Sequence, residues 1–169
     1  MSADAEHLRR LMHYSAWANN VLYAALSGVD ESVLARPRPG RPAGAIGVLG
    51  HIYVVGMIWK AHLTRQAHGL RTRSLEAPPP LSTLQAWQAD LDQWYLQFAS
   101  NLPADWRSTS IGFHFVDGGT GSMTAEEMLL HVANHGTYHR GYVADMLYEA
   151  GLKPPTMDLP VFIREAAPR

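Results

Sequence analysis

Apolar and small side chains between Asp4 and Leu26 return at helical spacing: Leu8, Leu11, Met12, Ser15, Ala18, Leu22, Ala25 and Leu26 share one stripe. Tyr14, Trp17 and Val21 add a second stripe, which predicts two packing neighbours for this first helix. Gly28 stops it, and the proline-rich run Arg36–Pro42 reads as a loop. A second helix is predicted from about Ala43–Ile46 to about His68, ended by Gly69. Its inward positions are Ile46, Leu49, Ile52, Val55, Trp59 and Leu63. Pro78, Pro79 and Pro80 close the next linker. Ser82-Thr-Leu-Gln85 has the form of a capping box, in which the Ser hydroxyl accepts from a free amide and Gln reaches back. It predicts a third helix to about Asn101 with Leu84, Trp87, Leu91, Trp94, Tyr95 and Phe98 buried, and Pro103 beyond its end.

From Arg107 to Ser122 the helical rhythm gives way to alternation. Ile111, Phe113 and Phe115 alternate with Gly112, His114 and Val116, and Asp117-Gly118-Gly119 supplies a turn, so a short β-hairpin is predicted. Thr124-Ala-Glu-Glu127 is a second capping box and opens a fourth helix to about Ala150, terminated by Gly151, Pro154 and Pro155. The apolar tail Met157–Ile163 is expected to pack back across the bundle. Helices of ~20–25 residues are each ~30–38 Å long and can share one core along their length. The predicted fold is all-α: a four-helix bundle in a single domain, residues 1–169, with the hairpin between the third and fourth long helices.

Composition narrows the function. Fourteen Lys and Arg against 15 Asp and Glu give a net charge of −1, and the pI is near 6.7. A basic stripe and high pI, the signature of a duplex-binding domain, are missing, so no nucleic-acid partner is expected. The longest apolar run, around Val54–Trp59, is interrupted by His51 and Lys60 and falls short of the roughly 20 residues that span a bilayer. No membrane partner is expected. The start, Met1 to His7, lacks the basic and apolar stretches of a signal peptide, and a cytoplasmic location is the expectation. Cysteine is absent, which removes disulfides, thiolate metal sites and a protein-thiol nucleophile.

The compositional excess is nine histidines. The fourth helix carries His131-Val-Ala-Asn-His135-Gly-Thr-Tyr-His139. Residues four apart lie one above the other, so His135 and His139 can converge on one ion. Three ligands on one straight stripe cannot surround an ion, which leaves His131 to packing or support and asks for a third ligand from another helix. His51 offers it, from within the apolar run Val48–Val55. A neutral core histidine is the plain alternative for His51, and chance spacing the plain alternative for the pair. His62 lies about 16 Å along the axis from His51 and cannot share its ion. His7 and His13 are expected at the surface, His68 near a helix end, and His114 in the hairpin with nothing requiring it at the site.

His13-Tyr-Ser-Ala-Trp-Ala-Asn-Asn20, Leu49-Gly-His51-Ile-Tyr-Val and His131-Val-Ala-Asn-His135-Gly-Thr-Tyr-His139-Arg-Gly141 resemble the DinB-like (DinB/YfiT) family of metal-binding four-helix bundles. The resemblance covers nearly the whole chain, and the last motif is its most specific part. It implies a three-histidine site on His51, His135 and His139, holding a divalent transition metal, zinc or nickel, with water or a substrate atom in the remaining positions. It also implies thiol S-transferase, isomerase or hydrolase chemistry, and a homodimer. One position departs from the pattern: Tyr142 stands where family members often have Gln, so any substrate contact inferred from that Gln is lost.

Two function classes follow. In the first, a metal-dependent enzyme activates a low-molecular-weight thiol or a water against a small electrophilic substrate. A chain without cysteine would then borrow its sulfur from a cosubstrate. Acid–base residues are not identifiable from sequence; Tyr138, Arg140 and Tyr142 are near the ligands, with Tyr138 and Arg140 expected to face outward. In the second, a non-catalytic metal-binding stress-response bundle uses the ion to pin two helices, which calls for a closed fourth ligand. A carboxylate di-iron bundle needs Glu-x-x-His on two helices, and the chain has none.

Overall fold

A computed structural model describes residues 3–41 and 43–167; Pro42, at the end of the proline-rich loop, lies outside the described residues, as do Met1 and Ser2. The long helices are α1 (Ala3–Leu26), α3 (Gly44–Leu63), α4 (Leu81–Asn101) and α6 (Ala125–Glu149). Short helices α2 (Glu31–Leu34), α5 (Ala104–Ser108) and α7 (Leu159–Glu165) cover the ends and one flank. Strands β1 (Ser110–His114) and β2 (Thr120–Thr124) form the expected antiparallel hairpin, with Ile111 opposite Met123 and Phe113 opposite Gly121. The architecture is the all-α bundle with a hairpin that the periodicity predicts.

Each long helix packs on two others: α1 on α4 and α6, α3 on α6 and α4. Two apolar clusters fill the bundle. One joins Leu8 and Met12 of α1, Trp59 and Leu63 of α3, Tyr95 and Ala99 of α4, Ala125 and Leu129 of α6, and Ile111 and Phe113 of the hairpin. The other joins Leu22 and Leu26, Ala45 and Leu49, Leu81 and Leu84, and Val143 and Leu147. Helices α1 and α6 therefore run from the first cluster to the second, whereas α3 and α4 run back. The order is up, down, down, up. Because α3 and α4 are parallel, the connection 64–80 must return the length of the bundle. It lies along α3, where Leu75 covers Gly50.

The helix ends differ from expectation in two places. Helix α3 stops at Leu63 rather than near His68, and Gly69 plays no part in ending it. Arg65 takes the left-handed conformation (φ 56°) usually left to glycine. Its amide donates to the His62 carbonyl and that of Gln66 to the Ala61 carbonyl, the paired bonds of a Schellman ending. The Arg65 guanidinium rests 4.7 Å from the centre of the Trp106 ring. At α4, Ser82 lies inside the helix and makes no cap; Pro80 precedes the first turn. The Leu81 amide is instead satisfied by the Glu31 carboxylate of α2, 3.2 Å away. The box at Thr124 and Glu127 is formed in both directions.

Burial follows the stripes, with exceptions. Trp87, expected in the core, is 40% exposed and lies against Tyr53. Phe115 is 46% exposed because the strand ends at His114. The tail does fold back: Phe162 is buried against Tyr14 and Trp17 of α1, and the Tyr14 hydroxyl donates to the Met157 carbonyl. Among the described residues α3 is long and apolar enough to cross a membrane on length and composition, more so than its interrupted run suggested, and 67% of that stretch is buried within the bundle. Its apolar surface serves the core.

Candidate metal centre

Between the two apolar clusters every long helix places polar side chains at mid-length. Ser15 and Asn19 come from α1, His51 from α3, Gln88 and Asp92 from α4, and His135, His139 and Arg140 from α6. They form two connected groups, one of imidazoles between α3 and α6 and one of hydrogen-bonded polar groups behind it.

The imidazoles of His51, His135 and His139 come together: one ring nitrogen of each lies within 4.8 Å of the others. Ring centres are 4.5 Å apart for His51 and His139, 4.3 Å for His135 and His139, and 5.0 Å for His51 and His135. His51 Nδ1 is 2.6 Å from the Arg73 carbonyl. A carbonyl only accepts, so Nδ1 carries the proton and Nε2 is left with its lone pair. That lone pair faces His135 Nε2 at 3.1 Å, which makes His135 the donor there. His139 Nδ1 is buried with no hydrogen-bond partner.

These residues fit a transition-metal ion. Two nitrogens each ~2.0–2.1 Å from one ion are ~2.9–3.4 Å apart for angles from a right angle to tetrahedral, and the observed 3.1 Å falls within that range. The backbone carbonyl behind His51 is the usual support for a ligating imidazole, fixing tautomer and direction. An orphaned buried nitrogen on His139 supplies a further lone pair or proton with nowhere else to go. Neutral imidazole is also the form a metal needs. Burial, then the neighbouring imidazoles, hold His135 down to about 3; burial, then His51 and Arg41, hold His139 down to about 4. Burial lowers His51 as well, partly opposed by its bond to Arg73.

The remaining histidines fall outside this group. His131, one turn before His135, packs its ring 4.7 Å from Trp59 and 5.7 Å from His135. His62 is buried against Trp59, Phe113 and His68, well down α3. His68 lies in the linker rather than near a helix end, and its Nδ1 accepts from the Leu70 amide. His114 is exposed at the end of β1.

Two clefts meet at the trio, sharing His51, His139 and Arg73. The larger, about 670 Å³, extends toward the start of α3 past Gly44, Gly47, Arg41 and Glu76. The smaller, about 270 Å³, extends the other way past Val55, Trp59, Phe113, Phe115 and His131.

Arg140 corrects the expectation of an outward side chain: it is 2% exposed. Its guanidinium donates to Asn19 Oδ1 at 2.8 Å and to Thr137 Oγ1 at 2.9 Å. Asn19 in turn donates to both oxygens of Asp92, and Gln88 donates to one of them. Gly136 makes room for the guanidinium, since a Cβ there would meet Arg140 Nη1 at 2.9 Å. Burial pushes the Asp92 carboxyl up to about 6, against the hydrogen bonds of Asn19 and Gln88 and the Arg140 charge. Sequence reasoning missed this group because Asn19, Gln88 and Asp92 break no apolar rhythm strongly enough to announce a partner. Tyr138 does face solvent, and its hydroxyl meets that of Tyr142.

Two predictions follow from these environments. In the unfolded chain an imidazole protonates near its ordinary ~6.5. Below that pH the unfolded state binds protons that folded His135 and His139 refuse until about 3 and about 4, so stability falls with falling pH across that window. The melting temperature of metal-free protein should drop from pH 7 to pH 4.5, and His135→Gln should flatten the drop; equal slopes in the two proteins would contradict the environment described. Second, Arg140→Met removes the positive charge near buried Asp92 at pH 8 and leaves Asn19 Oδ1 without its donor, a loss of roughly 1–3 kcal/mol by denaturant unfolding. At pH 5, where Asp92 holds a proton, the loss should be smaller, and a penalty independent of pH would show that the two groups are not coupled.

The whole chain, residues 1–169, matches the family model described as DinB family. "Protein DinB" of Bacillus subtilis (strain 168) is 23% identical to it over 165 residues, covering 91% of this chain and 92% of that protein. With a helical bundle and a histidine trio of the kind its sequence motifs imply, the chain belongs to the DinB family.

Proposed function

We propose that this chain is a divalent-metal-dependent enzyme of the thiol S-transferase or hydrolase type, acting on a small electrophilic substrate. His51, His135 and His139 hold the ion, zinc or nickel in the cell, and a low-molecular-weight thiol or a water is the nucleophile. The observation that carries the reading is the convergence of three desolvated, neutral imidazoles at the junction of two clefts. An imidazole donor set suits zinc, nickel and their neighbours better than magnesium or calcium, which favour oxygen. When bound, such an ion supplies a Lewis acid that favours the deprotonated form of a thiol or a water.

The protein's own contribution is orientation and exclusion. The Arg73 carbonyl holds His51 with its Nε2 lone pair toward α6. His135 must give up its Nε2 proton to ligate, and a neutral ring does so by moving that proton to Nδ1 without a net charge change. Trp59, Phe113 and Val55 line the smaller cleft with apolar surface, a setting that keeps water from a reactive electrophile. The alternative, an ion that only pins α3 to α6, calls for a fourth protein ligand. Among the described residues the ligand group comprises three imidazoles and no carboxylate, which favours a site with positions left open.

Protein purified without a histidine tag should contain about one divalent transition metal per chain. His51→Ala, His135→Ala or His139→Ala should abolish high-affinity binding, and His62→Ala should leave it intact. In cobalt-loaded protein, a small thiol should add a sulfur-to-metal charge-transfer band, which no protein cysteine can mimic. Full metal occupancy in the triple-Ala protein would end the metal assignment. A cobalt spectrum indifferent to thiols, azide and other anions would leave the pinned bundle as the better account.

A further inference from the structure

The larger cleft has a chemistry that the histidines alone do not require. Its lining combines Arg41 and Arg73 with the first turn of α3, and Glu76 is the acid on its edge. Among the described residues no carboxylate pairs with Arg41 or Arg73, whereas Arg10 and Arg38 both have acidic partners. Arg41 is held in place. A tight turn joins its backbone to Arg38, and its guanidinium lies 4.6 Å from the centre of the Tyr142 ring. The Tyr142 ring is in turn 5.7 Å from that of His139, so the charge is fixed beside the imidazole trio. Arg73 adjoins the trio through its own carbonyl on His51. The first turn of α3 carries no acidic residue and no side-chain cap, so its amide dipoles add to the positive potential there.

Two guanidiniums, an uncapped helix start and a bound divalent cation would place concentrated positive charge around one cleft. Such a cleft recruits an anion of matching size, and guanidinium pairs with carboxylate through two parallel hydrogen bonds. The opposite cleft shares Arg73 but has neither Arg41 nor a helix start in its lining, which is largely the aromatic surface of Trp59, Phe113 and Phe115.

We propose that the larger cleft is a carboxylate subsite: Arg41 and Arg73 bind the anionic arm of a small mercapto-carboxylate whose sulfur reaches the three histidines, while the smaller aromatic cleft takes the apolar part of the electrophile. The sulfur half of this assignment rests on the metal-dependent reading given above; the anion half rests on the cleft itself. The two substrates then approach the trio from opposite sides, with the ionic one on the side of α3's first turn. Tyr142 serves here as the platform that aims Arg41. It is a positioning residue.

The probes are mercaptosuccinate, its uncharged counterpart thioglycerol, and succinate. Cobalt-loaded protein should bind mercaptosuccinate at least about tenfold more tightly than thioglycerol, read from the charge-transfer band. Arg41→Gln with Arg73→Gln should erase that preference, bringing mercaptosuccinate down to the affinity of thioglycerol in protein that still loads cobalt; Arg36→Gln, outside the cleft, should preserve it. In metal-free protein, succinate should shift the amide NMR signals of Gly44 and Gly47, and the double variant should lose those shifts. Equal affinity for the two thiols, or a preference that survives the double variant, overturns the subsite. Failure to bind cobalt at all would instead remove the metal reading, and the succinate shifts on the metal-free chain would still decide the anion subsite: their presence supports it, their absence refutes it.

Discussion

A layer of polar side chains cuts the apolar core of this bundle at mid-length, and the arrangement of the helices follows from satisfying it. Arg140 brings a guanidinium into a nearly solvent-free position, a burden that only good partners offset. Those partners sit on α1 and, through Asn19, on α4. Sliding any of the three helices by a turn would leave a charged group unpaired. The apolar clusters on either side supply cohesion without such selectivity, because burial of Leu or Ile rewards many registers. With α6 thus fixed by its Arg140 face, its His135 and His139 face is aimed at α3.

Topology supplies what that aim needs on the other side. An up-down-down-up order makes α3 and α4 parallel and sends the linker 64–80 back along the bundle. That return path brings the Arg73 carbonyl onto His51 Nδ1, and it also walls the larger cleft with residues 73–76 and reaches the smaller one through Arg73. A sequential up-down bundle would have joined the same helices by a short turn, and His51 would have faced α6 without a carbonyl behind it. One connection therefore sets the tautomer of a candidate ligand and the shape of the space around it.

The sequence discloses these features unevenly. The four long helices, the hairpin and the cap at Thr124 are legible because each rests on local periodicity or local hydrogen bonding. The end of α3 is misplaced because a Schellman ending normally signals itself with glycine, and here Arg65 adopts that conformation. The start of α4 is misattributed because the Leu81 amide is capped from α2, a partner far away in the chain. At the site, the spacing of His135 and His139 could be read directly. Arg140 could not, since an arginine beside a candidate ligand looks like a solvated group until Asn19 and Asp92 are placed opposite it. The Arg73 carbonyl was equally hidden, because a backbone atom leaves no trace in the sequence.

The central claim is that the fold holds His51, His135 and His139 neutral and fixes the tautomer of His51 through the Arg73 carbonyl. Histidine ring-nitrogen NMR correlations on the metal-free, 15N-labelled protein test it directly, because the two ring nitrogens report protonation and tautomer separately. The account predicts His51 with its proton on Nδ1, and His135 and His139 still neutral at pH 5.5. Titration of His135 and His139 near the ordinary ~6.5, or a His51 ring protonated on Nε2, would contradict it.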